Sequence, residues 1–344
     1  MLQALPLEVK IRKTKKRIQE WIDTFGEEGT YISFSGGKDS TVLLDITRSM
    51  YPGIEAVFAD TGLEYPEIRS FVNGIDNVTI IKPQKNFKRI ITEYGYPVIS
   101  KEVSQTIYEA RIQIKNGVEN PYRLKKLNGV VVDKAGQLSC YNIPQWKFLL
   151  EAPFLISHLC CDGMKKRPFK QFEKESGKKA IIGMLAEESF LRHQKWIKYG
   201  CNAFDTRRQT SNPLSFWRNN DILQYIREND LEIASVYGEI VVDDSGQMPG
   251  QININDYLDD YRECKFKTTG CKRTGCMFCL YGAHMERQEG RLERLRKTHP
   301  KIYNYVMDGG EFNNDSTWIP NNQGLGFKFV VDWLNEHGNL NIRY

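Results

Sequence analysis

Residues 30–40 read TYISFSGGKDS, and TVLLDITRSM (41–50) follows directly. A short run rich in β-branched and aromatic side chains, two glycines and then an apolar stretch spell strand, turn and helix. A helix N-terminus presents unpaired N–H groups and a partial positive charge, so this turn suits a phosphate. Gly36 and Gly37 allow close approach, and successive N–H groups at such a turn make an anion nest. Lys38 brings a cation for a phosphate oxygen, and Ser35 and Ser40 bring hydroxyl donors. Asp39 either holds the loop or helps position Mg2+. The spacing is neither G-x-x-x-x-G-K-[ST] nor G-x-G-x-x-G, so this is a phosphate turn of another kind.

Outward from this turn, LEVKIRKTKKRIQEWIDTF (7–25) places Val9, Ile11, Ile18, Trp21, Ile22 and Phe25 near helical spacing, predicting an amphipathic helix with a basic outer face. IEAVFA (54–59), VTIIK (78–82) and KAIIGM (179–184) read as further strands, with a helix entered through DTGLEYPEI (60–68). Strands alternating with helices predict an open parallel α/β sheet of Rossmann-like type. Residues 101–150 break this rhythm and read as a helical insertion or lid. After Gly183 the chain reads as mostly helical, apart from EIVV (239–242). The expected organisation is an N-terminal helix over 1–29, a nucleotide-binding α/β domain over 30–235 with its insertion near 101–150, and a helical, metal-binding region over 236–344. There is no internal repeat.

The chain has 344 residues, 40% hydrophobic and 26% charged, enough for one sizeable core and a small second domain. No apolar run reaches membrane-spanning length, and the N-terminus lacks the apolar centre of a signal peptide, so a cytoplasmic protein without a membrane partner is expected. The net charge of +5 permits an anionic partner without requiring one. Among eight cysteines, four cluster late in the chain, which favours a metal over disulfides. HLCCDGMKKRPF (158–169) holds Cys160 and Cys161, and TTGCKRTGCMFCLYGAH (268–284) holds C-x-x-C at Cys276 and Cys279. Two quartets compete: Cys160, Cys161, Cys276 and Cys279, or the local set Cys264, Cys271, Cys276 and Cys279. Either suits a [4Fe–4S] cluster or Zn2+. Lys165, Lys166, Lys272 and Arg273 stand nearby in sequence, where cations stabilise thiolates. Cys140 and Cys201 read as ordinary core or surface thiols.

SGGKDS resembles the pyrophosphate loop of the N-type ATP pyrophosphatases (the PP-loop superfamily, with its adenine nucleotide alpha hydrolase-like fold). Within that superfamily the chain resembles the phosphoadenosine phosphosulfate reductase family. DTGLEYPE (60–67), GMLAEES (183–189) with Arg192 beyond it, and NPLSFWRNNDILQYIREN (212–229) match further segments of that family in order. The resemblance implies that Asp60, Thr61 and Gly62 contact a nucleoside, although Asp60 also suits a helix cap. Glu187, Glu188 and Arg192 either line the site or form a surface ion network. Trp217, Ile222, Tyr225 and Ile226 read as helix core. The Cys-Cys pair with a distant C-x-x-C is similar to the cluster-binding set of iron–sulfur adenylylsulfate reductases, and the compact late set is similar to that of sulfur-activating proteins of DNA phosphorothioation systems.

The chain departs from the reductases in lacking their late Glu-Cys-Gly-Leu-His segment, whose thiol attacks the activated sulfate. The expectation is therefore an ATP pyrophosphatase that adenylates an acceptor in sulfur activation or transfer, with ATP, Mg2+ and a [4Fe–4S] cluster (or Zn2+) as cofactors. A nucleic acid and a sulfur-donor protein are the partners envisaged, with the basic N-terminal helix and RQEGRLERLRK (287–297) available for docking or as solvated helices. The competing readings are a phosphoadenosine phosphosulfate or adenylylsulfate reductase, and a non-catalytic nucleotide-sensing subunit of a modification or defence complex.

Overall fold

The structure, a computed structural model, describes residues 2–119, 121–243 and 265–344. In chain order the elements are α1 (Leu7–Phe25), β1 (Thr30–Phe34), α2 (Lys38–Arg48), β2 (Ala56–Ala59), α3 (Pro66–Asn73), β3 (Val78–Ile81), α4 (Phe87–Tyr94), β4 (Val98–Ile99), α5 (Lys101–Lys115) and α6 (Tyr122–Leu127). Then come α7 (Arg167–Ser176), β5 (Lys179–Ile182), α8 (Phe190–Tyr199), β6 (Asn202–Ala203), β7 (Thr210–Ser211), α9 (Asn219–Glu228), β8 (Ile240–Val242), β9 (Phe266–Thr268), β10 (Leu280–Tyr281), α10 (Arg291–Thr298), α11 (Pro300–Met307), β11 (Glu311–Phe312), β12 (Trp318–Ile319) and α12 (Phe327–Gly338). Two compact units emerge. The first takes Met1–Asp60, Glu64–Ile81 and Phe169–Thr274, and the second takes Thr61–Leu63, Lys82–Pro168 and Gly275–Tyr344.

The first unit is built on a sheet of order β3-β2-β1-β5-β7-β6. β1 runs parallel to both β2 and β5, and β7 parallel to β5, while β6 closes the edge antiparallel. This is the expected open α/β sheet. β1 and β2 are buried nearly throughout, as strands covered on both faces must be. Tyr31, Val57 and Ala180 form a core cluster against which Phe169 and Phe172 of α7 pack. Each such buried side chain stabilises the fold by about 1.5–3 kcal/mol. The Tyr31 hydroxyl donates to Glu173 (2.8 Å), which Arg208 also grips (2.6 Å), so its polar tip is satisfied. Trp217, Ile222, Tyr225 and Ile226 are buried, as their spacing predicts.

Two sequence expectations change. The chain after Gly183 is less helical than its pattern suggests, because β6 and β7 complete the sheet and β8 pairs with β9. Strands of two or three residues are too short to show a period-2 pattern. In α1 the buried stripe runs through Leu7, Lys10, Thr14, Ile18 and Trp21, so a lysine and a threonine face inward. Tertiary partners explain it. Lys10 Nζ lies 2.6 Å from Asp221, and Thr14 accepts the Trp217 indole N–H (2.9 Å). A buried charge is tolerated only when paired in this way.

In the second unit Phe87, Phe278 and Phe327 pack edge to face. The Tyr96 hydroxyl donates to the Leu325 carbonyl (2.8 Å). The 101–150 segment is held by Arg111, whose guanidinium donates to the carbonyls of Leu149, Leu150, Ala152 and Phe154 at 2.8–3.1 Å. Among the described residues no helix is long and apolar enough to cross a membrane.

Candidate functional site

In the first unit the chain steps from β1 to β2 to β3 on one side and returns through β5 and β7 on the other. The C-terminal end of β1 is therefore a topological switch point, where open α/β sheets bind ligands. Residues 35–40 stand there. Gly36 adopts φ +67°, and a Cβ on it would come within 2.7 Å of Ile68 Cγ2 and Val72 Cγ2, so glycine is required. Gly37 is extended and α2 begins at Lys38. The turn is stitched internally. Ser40 donates to the Gly37 carbonyl (2.8 Å), and the Ser35 and Ser40 hydroxyls lie 3.0 Å apart. The Gly37 N–H donates to Ser35 Oγ (3.3 Å).

The Lys38 ammonium is buried and lies 2.7 Å from the Asp39 carboxylate. Gly183 backs the same turn, since a Cβ there would meet the Asp39 carbonyl oxygen at 3.0 Å. Of the acidic and basic residues singled out in the sequence, Glu188 pairs with Arg192, while Glu187 accepts the Asn219 N–H (2.6 Å). Burial first, and then Arg273, hold the Arg192 guanidinium below its usual range, with Asp39 acting against them. Glu188, Arg192 and Arg273 thus belong to the electrostatic surroundings of the loop. Arg273 lies 3.8 Å from Glu188. Asp60 lies 2.9 Å from Arg69.

Sequence reasoning missed two residues at this turn. The Tyr237 hydroxyl accepts the Lys38 N–H (3.1 Å), and it lies 2.6 Å from the Thr274 hydroxyl. Tyr237 sits in no motif, and a residue 199 positions from its partner leaves no local signal; Thr274 lies in the 268–284 stretch, whose thiols drew the reading elsewhere.

Thr61 and Gly62 belong to the second unit, where Thr61 Oγ1 accepts the Leu63 N–H (3.2 Å) and Gly62 adopts φ +73°. The Leu63 carbonyl accepts the Met277 N–H (3.0 Å), which ties this turn to the C-M-F-C turn. Cys160, Cys161, Cys276 and Cys279 all lie in this unit. Cys160 and Cys161 Sγ are 3.8 Å apart. The Cys160 thiol is pushed up by its hydrogen bond to Cys161, by burial, and by the nearby sulfurs of Cys161, Cys279 and Cys276. The Cys161 thiol is pushed down, first by the hydrogen bond from Cys160 and then, against burial, by Lys101, Lys165 and Lys166. Arg291 donates to the Cys279 carbonyl (2.8 Å). Among the described residues no three His, Cys, Asp or Glu side chains close into a metal-binding cluster. Of the rival quartet, Cys271 is buried in the first unit and Cys264 lies outside the described residues. Cys140 is exposed and Cys201 buried. The 287–297 segment carries paired cations: Lys297 lies 2.6 Å from Glu289, and Arg291 2.7 Å from Glu286.

The sheet, its switch point and the glycine turn at the end of β1 define an α/β protein of Rossmann-like type. A family model described as "Phosphoadenosine phosphosulfate reductase domain" matches residues 29–132 and 111–280, and the chain belongs to that family. A curated relative, an uncharacterized protein of Methanocaldococcus jannaschii, is 33% identical over 69 residues, which are 19% of this chain and 17% of that protein. The chain thus matches only a small part of that relative's length. Among solved structures, a phosphoadenylyl-sulfate reductase from Candida auris in a phosphate complex aligns over 64% of this chain and 82% of its own, with 14% identity and a TM-score of 0.37.

Proposed function

We propose that the protein is an ATP pyrophosphatase of the adenylating type within the phosphoadenosine phosphosulfate reductase family. The observation that carries this reading is the turn at the end of β1, with Gly36 forced to positive φ, the N-terminus of α2 behind it and the buried Lys38 beside Asp39. An acceptor oxygen attacks the α-phosphorus of ATP, its bond to the bridging oxygen breaks, and pyrophosphate leaves with the electron pair. Lys38 and the loop amides stabilise the charge that accumulates on the leaving group. Ser35 donates to its oxygens while Ser40 holds the loop through the Gly37 carbonyl, and Glu188 and Arg192 orient the polar edge of the site. Mg2+ supplies further charge neutralisation when bound, and Asp39 offers it a carboxylate.

Cys160, Cys161, Cys276 and Cys279 fit a thiolate-bound centre by donor chemistry and by the cations at Lys101, Lys165 and Lys166 beside Cys161. We assign them a [4Fe–4S] cluster. Zinc is the second reading, favoured by the 3.8 Å between Cys160 and Cys161 Sγ. Two sulfurs on one tetrahedral ion with bonds of about 2.3 Å stand about 3.8 Å apart. Sulfur activation is the role that joins the two halves, with a nucleic acid as acceptor and a sulfur-donor protein as partner. The exposed cations Arg12, Lys13 and Lys16 of α1 are the better docking candidates, because those of 287–297 are internally paired.

Pyrophosphate release from ATP by wild type, and its loss in Lys38→Ala, tests the reading. Sulfite release from adenylyl sulfate or its 3′-phosphorylated form with a thiol reductant would instead establish the sulfonucleotide reductase named by the family. Nucleotide binding without either product, with every candidate partner present, would establish a sensor. Anaerobic purification with iron, sulfide and zinc analysis decides the metal.

A further inference from the structure

The Tyr237 hydroxyl is held over the phosphate turn by its own framework. Its backbone carbonyl accepts the Gly270 N–H (2.8 Å), and the Val236 carbonyl accepts the Cys271 N–H (2.9 Å). A Cβ on Gly270 would lie 2.4 Å from the Val236 oxygen and 2.9 Å from the Tyr237 oxygen, so the two segments touch main chain to main chain. β8 and β9 pair antiparallel beside them. This places both hydroxyls against Gly37, where an added Cβ would meet Tyr237 Oη at 3.2 Å and Thr274 Oγ1 at 3.3 Å. The two hydroxyls are therefore close to the position that a phosphate oxygen takes at the start of α2.

We propose that Tyr237 is a phosphate-binding residue of this site, its phenol relaying the Lys38 amide to the bound anion, and that Thr274 is the residue that positions and polarises that phenol. The inference rests on the phosphate-loop reading given above. A phenol oxygen has one proton to give and two lone pairs. One lone pair takes the Lys38 N–H. Without ligand, the 2.6 Å bond to Thr274 uses either hydroxyl's proton. With a phosphate present, Thr274 donates to the second lone pair and the phenol proton turns to the phosphate oxygen. Every donor and acceptor then has a partner, and the phenol oxygen, polarised by two donors, gives the stronger hydrogen bond. Burial, foremost, pushes the phenol up to about 12, with the bonds to Thr274 and to the Lys38 amide acting against it, so the group stays a neutral donor at physiological pH.

The test is titration calorimetry of the full chain with inorganic pyrophosphate, with ATP and with adenosine. Tyr237→Phe keeps the buried ring and removes only the donor. It should weaken pyrophosphate and ATP by about 10- to 100-fold, the usual loss for a hydrogen bond to a charged group. Adenosine affinity should not change, which separates a phosphate contact from a general loss of structure. Thr274→Val should give a smaller loss in the same direction and Thr274→Ser should restore wild-type affinity; this pair carries the test if the Phe variant does not fold. Wild-type affinity in Tyr237→Phe and Thr274→Val, or tighter binding, overturns the role of the hydroxyls while leaving the loop assignment standing. A wild type that binds adenosine but neither phosphate ligand overturns the loop assignment and this inference with it.

Discussion

Residues 35–41 hold their shape through bonds among themselves: Ser40 and Thr41 both donate to the Gly37 carbonyl, and Ser35 accepts the Gly37 N–H. The cysteine set is assembled differently. Cys160 and Cys161 open one helical segment, whose Asp162–Lys166 turn is π-type, while Cys276 and Cys279 lie more than a hundred residues later. They come into one unit only through its fold, with β4 pairing parallel to β10 immediately after Cys279. A contiguous turn pays little entropy to preorganise its ligand groups, whereas a dispersed set depends on the packing that closes a long loop. The turn should therefore fail through single residues, and the cysteine set through anything that loosens its unit.

The largest effect expected is at the turn. Lys38→Ala should lower the rate of pyrophosphate release at least about 100-fold, because it removes the cation that meets the leaving group and strands Asp39. Unchanged turnover would break the functional half of the comparison. Next, Gly36→Ala combines positive φ with contacts at 2.7 Å to Ile68 and Val72, and should destabilise the first unit by about 2–4 kcal/mol in urea unfolding. Arg111→Met leaves four carbonyls of the second unit without their donor. It should cost that unit about 3 kcal/mol and reduce metal per chain even though no cysteine is touched. A destabilised Arg111 variant with full metal content would show that the thiols hold together without the packing around them.

The smallest effect is a pH dependence in the first unit. Burial alone would raise the Glu55 carboxyl, but hydrogen bonds from Lys178 and Thr79 outweigh it and hold it below its ordinary value. A depressed carboxylate contributes stability above its unfolded pKa and loses it as the pH falls through the folded one. Wild type should therefore lose part of its stability as the pH falls from about 5 to below 4. Glu55→Gln should flatten that limb, read as melting temperature against pH.

Much of the first unit was legible in the sequence. AVFA is an unbroken apolar run and TYISF is rich in β-branched and aromatic residues, as a doubly covered strand needs, and SGGKDS marks the turn by a glycine, Gly36, that no other residue can replace. The short strands Asn202–Ala203 and Thr210–Ser211 were not legible, because two residues carry no period. Lys10 was not legible as a buried residue, because its burial depends on Asp221, which lies 211 positions away.

By itself the sequence determined the strand–turn–helix of the phosphate loop, its cation and its hydroxyls, since these follow from backbone freedom and side-chain chemistry within a dozen residues. It also determined the supply of thiols, but not their grouping. Only the tertiary structure decided that all four of Cys160, Cys161, Cys276 and Cys279 fall in one unit, that Arg273 faces Glu188, and that Tyr237 and Thr274 reach Gly37. Contacts between residues far apart in the chain are fixed by packing that buries many groups at once, and no local pattern records it.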